Sequence, residues 1–409
     1  VRNMNVFDDV LDATVVSHSA VGHFTTAHFS ELLVARTNVL SVYHAINEKL
    51  ALAHEFKLHA EITDIALVPQ QNSELQCMLL GTGAAKLSLV RFDTQSQTLE
   101  TLSLHYYEDK FKEMSITEIA ARSKLRMEPS NRCAMLFNND CLAILPLTPD
   151  ETEEEEQDDD NLYTSNNKRQ KTVSTTPSIT PGEHLKSSVM MASQLHSDVK
   201  NTIDVQFLQS FNKPTVGLLY QPKLAWCGNE KVVSNTTKFT VLTLDVETGK
   251  STKIGHNENL PNDLHTIIPL SNASVLVGTN ELIYVDNTGA LQCAILLNSY
   301  AAKNISTRIV DKSSSQTFLN EPIVWYSECV NNREFLLLMD QNGEMYNVEL
   351  ASEGRLLKNF DVEKLAIVNE TFKHNYNPTC ISALTPLSLK SFNLFIGFNS
   401  GDSLVVKLN

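Results

Sequence analysis

Residue types able to do chemistry are present in this chain, but few stand at spacings that would let them act together. Gly81-Thr-Gly-Ala-Ala-Lys86 has the composition of a phosphate cradle. Such a loop works by opening a helix whose first amides point at the phosphate. Here the strand-like KLSLVRF follows from Lys86, so the segment reads as a turn. The seven cysteines, at 77, 133, 141, 227, 293, 329 and 380, include no Cys-x-x-Cys pair. A structural zinc site needs four converging soft ligands, usually in close pairs. The thiols therefore read as buried and inert. Histidines 18, 23, 28, 44, 54 and 59 show neither HExxH nor a facial-triad spacing, and no Gly-x-Ser-x-Gly elbow occurs. No catalytic residue, cofactor site or metal ligand is assigned, and the chain reads as a non-enzyme.

Two charged segments carry possible interaction chemistry. Asp150 to Asp160 reads DETEEEEQDDD, and its nine acidic residues account for most of the formal net charge of -15. Glu153, Glu154, Glu155, Glu156, Asp158, Asp159 and Asp160 form an acidic tract able to contact basic partners or keep an assembly soluble. Downstream, Lys168, Arg169 and Lys171 form a short basic cluster of nuclear-import type. Both lie in a polar, Ser/Thr/Pro-rich stretch, 149–186, expected to be a disordered loop. Outside the tract the chain is only mildly acidic, which disfavours autonomous tight binding to a phosphate backbone.

The elements that must position these residues emerge from a repeat. A short run of aliphatic and β-branched residues, a polar turn and a second apolar run recur seven times. The copies begin at Glu31, Cys77, Arg132, Pro214, Ala273, Phe335 and Asn393, at intervals of 46, 55, 82, 59, 62 and 58 residues. The longest interval holds the polar stretch. Each interval leaves room for one strand before the hairpin and one after it. Leading strands are expected at Ile62–Pro69, Thr202–Ser210, Leu264–Ser271 and Pro378–Leu384, and trailing ones at Thr98–Tyr107, Lys238–Val246 and Gly289–Leu297. Four antiparallel strands make one propeller blade, and blades in a ring bury one another. The expected fold is all-β, a seven-bladed β-propeller spanning 4–409 as one domain. The intervals exceed the roughly 40 to 45 residues of WD40 repeats, and no Trp-Asp dipeptide occurs.

The last hairpin ends at Asn409, so the last blade is expected to be incomplete, its outer strand supplied by Val10–Ser19 or by sequence beyond Asn409. One helix is expected at Ser115–Lys124, where Ser115 and Glu118 have capping-box spacing. Propeller enzymes typically line the central channel with carboxylates or histidines, so Asp64, Asp204 and His265 on the leading strands are the positions to inspect. The odd, scattered cysteines fit a reducing compartment, and no apolar run approaches the roughly 18 residues of a membrane span. Residues 1–3, ahead of Met4, read as an added remnant or a trimmed start.

Longer segments carry a family resemblance. MNVFDDVLDATVVSHSAVGHF from Met4, IDVQFLQSFNKPTVGLLYQPKLAWCGN from Ile203, DLHTIIPLSNASVLVGTNELIYVDNTGALQCAILLNS from Asp263 and LFIGFNSGDSLVV from Leu394 resemble the largest subunit of the cleavage and polyadenylation specificity factor in its fungal form. The large subunits of the damaged-DNA-binding complex and of splicing factor 3b are similar to a lesser degree. The resemblance implies the first of three propellers in a longer nuclear protein. It also implies a scaffold, without catalytic residues, that holds a WD-repeat subunit and a zinc-finger subunit while they recognise the polyadenylation signal of pre-mRNA, which this chain contacts indirectly. Direct RNA binding and an adaptor role in a ubiquitin-ligase or splicing complex are the alternatives.

Overall fold

The computed structural model describes residues 14–408 apart from 47–48, 71–72, 116–119, 121, 148–186, 226–227, 229–234, 247, 305–320, 331–332, 354–355, 366–375 and 385–391. It forms seven antiparallel sheets, each built from strands consecutive in sequence. The first blade is β1 (Val16–Gly22), β2 (Glu31–Arg36), β3 (Val39–Ile46) and β4 (Lys49–Lys57). The second is β5 (Ile62–Pro69), β6 (Gln76–Thr82), β7 (Lys86–Asp93) and β8 (Thr98–Tyr106), followed by helix α1 (Glu108–Met114). The third is β9 (Lys124–Met127), β10 (Cys133–Asn138), β11 (Cys141–Pro146) and β12 (Ser188–Met191), followed by α2 (Ala192–Leu195). The fourth is β13 (Thr202–Phe207), β14 (Thr215–Tyr220), β15 (Thr237–Leu244) and β16 (Ser251–Leu260). The fifth is β17 (Leu264–Pro269), β18 (Ala273–Gly278), β19 (Glu281–Asp286) and β20 (Leu291–Leu296), followed by α3 (Ser299–Asn304). The sixth is β21 (Pro322–Val330), β22 (Arg333–Asp340), β23 (Met345–Glu353) and β24 (Leu356–Lys364). The seventh sheet has three strands among the described residues, β25 (Tyr376–Ala383), β26 (Phe392–Ser400) and β27 (Leu404–Leu408).

The innermost strands touch in order around the ring, and β25 touches β1 to close it. This arrangement explains the hydrophobic pattern. The second strands β10, β14 and β18 are buried along their whole length, because both sheet faces are covered by neighbouring blades. Outer strands β4 and β8 alternate with water and carry weaker patterns. Seven apolar cores result, one per inter-blade seam. Fully buried Phe360, in the core between blades five and six, is worth roughly 3–5 kcal/mol against truncation to alanine. The Gly81–Lys86 segment is the β6–β7 turn, with Gly83 at φ 59°. Asn139 serves the same purpose between β10 and β11 at φ 52°.

Two expectations are corrected. The described part of Val10–Ser19 does not serve the seventh blade: Val16–Gly22 pairs with β2 as the innermost strand of the first, the nearest partner along the chain, and residues 10–13 lie outside the described residues. The hairpin expected within PTVGLLYQPKLAWCG from Pro214 takes its second arm instead from Thr237–Leu244, placed above as a trailing strand, and Ser251–Leu260 is that blade's outer strand. Most of the helix expected at Ser115–Lys124 lies outside the described residues, with Lys124 itself in β9. A helix the sequence reading did not place forms just before it at Glu108–Met114, anchored by buried Phe111 and ended by Ser115.

Candidate functional site at the inner wall of the ring

Six of the seven innermost strands carry the same irregularity near their start. An extra residue interrupts the ladder between Val16 and His18, Ile62 and Asp64, Thr202 and Asp204, Leu264 and Thr266, Pro322 and Val324, and Pro378 and Cys380. Such bulges re-aim the following side chain. At Asp64 and Asp204 that side chain turns to the next blade.

Asp64 Oδ2 accepts the Leu125 amide of β9 at 2.9 Å, while Oδ1 takes the Ile65 amide at 2.9 Å and lies 3.3 Å from His18 Nδ1. Asp204 repeats the arrangement two blades on: Oδ2 accepts the Ile267 amide of β17 at 2.9 Å. Its Oδ1 receives Arg126 Nη2 at 3.2 Å and stands 3.6 Å from Lys124 Nζ. Arg126 Nε also donates to the Val205 carbonyl at 3.1 Å. Asp204 is fully buried, so its charge depends on these partners. His265 lies across the same seam, with Nδ1 3.0 Å from Thr266 Oγ1 and Nε2 3.3 Å from the Glu321 carboxylate. Burial lowers its pKa, and Glu321, Asp263 and Asp204 oppose that shift.

The structure thus brings Asp204 and His265 to one seam and leaves Asp64 at another. Both carboxylates are engaged by backbone amides of the following blade, which makes them latches between blades. Neither is hydrogen-bonded to a hydroxyl or thiol that it could activate. Among the described residues no group of three or more His, Cys, Asp or Glu side chains could hold a metal ion.

Two further carboxylates escaped sequence reasoning. Glu31, the first residue of β2, is fully buried and gathers the preceding loop. Its Oε2 accepts the amides of Phe24 at 3.0 Å, Thr25 at 2.5 Å and Thr26 at 3.3 Å; its Oε1 meets the Thr25 hydroxyl and, at 2.8 Å, His44 Nε2. Phe29 stacks edge-on against His44 and is 40% exposed, so the tied loop presents an aromatic ring to solvent. The signal was a lone acidic residue opening the apolar run ELLVA. Glu281, the first residue of β19, is also fully buried, but neither carboxylate oxygen has a hydrogen-bond partner. Burial, and secondarily the charge of Asp263, raise its pKa to about 7.

Cys77, Cys133, Cys141 and Cys293 are buried as expected, whereas Cys329 on β21 is exposed and Cys380 half-buried. Burial raises the Cys77 pKa to about 11 and that of Cys133 to about 12. Cys227, the acidic tract at 153–160 and the basic cluster Lys168, Arg169 and Lys171 lie outside the described residues. The charged stretch enters between β11 and β12 of the third blade. Among the described residues no helix is long and apolar enough to cross a membrane.

Residues 15–409 match the family described as the RSE1/DDB1/CPSF1 first beta-propeller. Protein CFT1 of Eremothecium gossypii is 49% identical over 407 residues, covering 99% of this chain and 30% of that protein. Protein CFT1 of Saccharomyces cerevisiae is 47% identical over 442 residues, covering 99% of this chain and 32% of that protein. Protein cft1 of Schizosaccharomyces pombe is 25% identical, covering 98% and 30% respectively. The chain spans about a third of the length of these relatives.

Proposed function

The chain belongs to the RSE1/DDB1/CPSF1 first-β-propeller family, and from that premise we propose that it is a non-catalytic scaffold of nuclear pre-mRNA 3′-end cleavage and polyadenylation. The observation that carries the reading is the similarity to fungal CFT1 proteins across 99% of this chain. It acts as the first of three propellers in a longer polypeptide. Its partners are a WD-repeat subunit and a zinc-finger subunit, which read the polyadenylation signal while this propeller contacts the RNA only through them. The acidic tract and the basic cluster at 168–171 serve partner contact and nuclear import.

The physical basis is rigidity. A ring of mutually buried blades, joined by inner-wall carboxylates, holds its loops in fixed relative positions, and a pre-ordered surface loses little conformational freedom on binding. The carboxylates that would be recruited for catalysis are engaged in holding the ring, which supports a structural role. Affinity purification of the full-length protein from nuclear extract tests the reading: co-recovery of polyadenylation-factor subunits is expected. Recovery of a cullin or of splicing subunits in their place would select a sister-family role, and tight binding of the isolated chain to signal-containing RNA at physiological salt would select direct recognition.

A further inference from the structure

The stretch that holds the acidic tract leaves the third blade and returns to it beside three lysines of the fourth. In an antiparallel four-stranded blade the first and third connections lie at the same end. The third connection of blade three, between β11 and β12, carries the tract. In blade four the first and third connections are the β13–β14 and β15–β16 turns, which carry Lys213 and Lys250.

Both ends of the acidic connection are fixed against those turns. At its start the Leu147 amide donates to the Arg132 carbonyl at 2.9 Å, and Arg132 Nη1 donates to the carbonyl of Asn212, the neighbour of Lys213. At its end Met190 Cε of β12 lies 3.3 Å from where a Cβ on Gly249 would stand, beside Lys250. The two turns join through one strand end: the Leu244 amide donates to the Pro214 carbonyl at 2.7 Å and the Asp245 amide to the Lys250 carbonyl at 2.8 Å. Lys253 of β16 pairs with Leu242, whose side chain shares a core with Met190, so it leaves the strand on the side of the third blade. All three lysines are exposed, and among the described residues none stands in an ion pair. The nearby acids are engaged within the fold: Asp245 accepts the Thr248 amide of its own turn, and Glu128 is buried against Arg132.

Asp150 follows Leu147 by three residues, at most about 11 Å of extended chain. The nine acids of Asp150–Asp160 thus begin beside uncompensated positive charge, tethered at an effective concentration that no free peptide matches. We infer that Lys213, Lys250 and Lys253 form the docking surface of the chain's own acidic tract, so that a basic partner engaging the tract must first displace it. The inference does not rest on the scaffold role proposed above. Zero-length carbodiimide crosslinking of the full-length protein tests it, because the reagent joins a carboxylate only to an amine in contact with it. Peptide mass spectrometry is expected to find the tract joined to Lys213, Lys250 or Lys253 at low salt, and about fivefold less in about 1 M salt, where the Debye length is about 3 Å. In a second readout, a labelled peptide of sequence DETEEEEQDDD is added to the protein. A variant with Glu→Gln and Asp→Asn at all nine acids of the tract is expected to bind it about tenfold tighter than the parent. Adding Lys213→Ser, Lys250→Ser and Lys253→Ser to that variant should abolish the gain. Crosslinks spread evenly over exposed lysines elsewhere, such as Lys49 and Lys110, or a peptide affinity unchanged by either set of substitutions, would each overturn the docking.

Discussion

Replacing Glu281 by glutamine should make the chain's stability less dependent on pH, and the size of the change follows from its surroundings. The carboxyl is fully buried with both oxygens unpartnered, and its pKa is lifted from the ordinary 4.5 to about 7 by burial and by Asp263. Between those values the folded chain keeps a proton that the unfolded chain has released. Stability therefore falls as pH rises, by at most about 1.36 kcal/mol per pH unit. The contribution is intact below pH 4.5 and lost once pH passes 7. Between pH 5 and pH 8 the loss amounts to about 2.5 kcal/mol. Glutamine has nearly the same shape and no proton to lose, so the variant should gain that amount on the parent over the same interval. Urea midpoints for both proteins at half-unit steps from pH 5 to 8 measure the difference, because every other titrating group is common to the two. Parallel curves would refute the reasoning and place Glu281 in contact with water or a partner group.

Asp204→Ala should cost roughly 3–5 kcal/mol in chemical denaturation, since it strands the Ile267 amide and the Arg126 guanidinium. Asp204→Asn, which can still accept from Ile267, should cost less. Gly397→Ala should lower stability by about 1–3 kcal/mol, read as a reduced unfolding midpoint, because Val16 and Cys380 must move apart. Brief maleimide labelling followed by peptide mass spectrometry should modify Cys329 well before Cys77, Cys133, Cys141 or Cys293; early labelling of Cys77 or Cys133 would contradict their burial.

The ring was legible because burial by two neighbours leaves continuous apolar runs. CMLLGT from Cys77 and SVLVG from Ser274 could only be strands covered on both faces. The fourth blade misled for the complementary reason. KLAW at 223–226 has strand composition, but β14 pairs with the more regular alternation of KFTVLTL, beyond a long connection. The helix at Glu108–Met114 went unread because EDKFKEM has a single large aromatic anchor, Phe111, and so gives little periodicity. Inspection of Asp64 and Asp204 was warranted, yet their role was invisible, since an extra residue in a strand leaves no mark in composition and decides where the next side chain points. Glu31 and Glu281 look like ordinary surface acids at strand starts. Only the assembled blades bury them.

The contact of β25 with β1 bears on the order in which the molecule assembles. Every sheet pairs strands that follow one another, so each blade can form from local sequence as it becomes available, and each new blade docks on the one before it. The Ser19 to Ser382 contact is different: its residues are 363 positions apart. Joining ends so distant in an unstructured chain would cost about 5 kcal/mol of loop-closure entropy. Successive docking of the intervening blades removes most of that cost by carrying the seventh blade round to the first. Closure is thus expected to be the slowest and last step of folding, and a chain halted before it would display a stack of formed blades with both end faces uncovered.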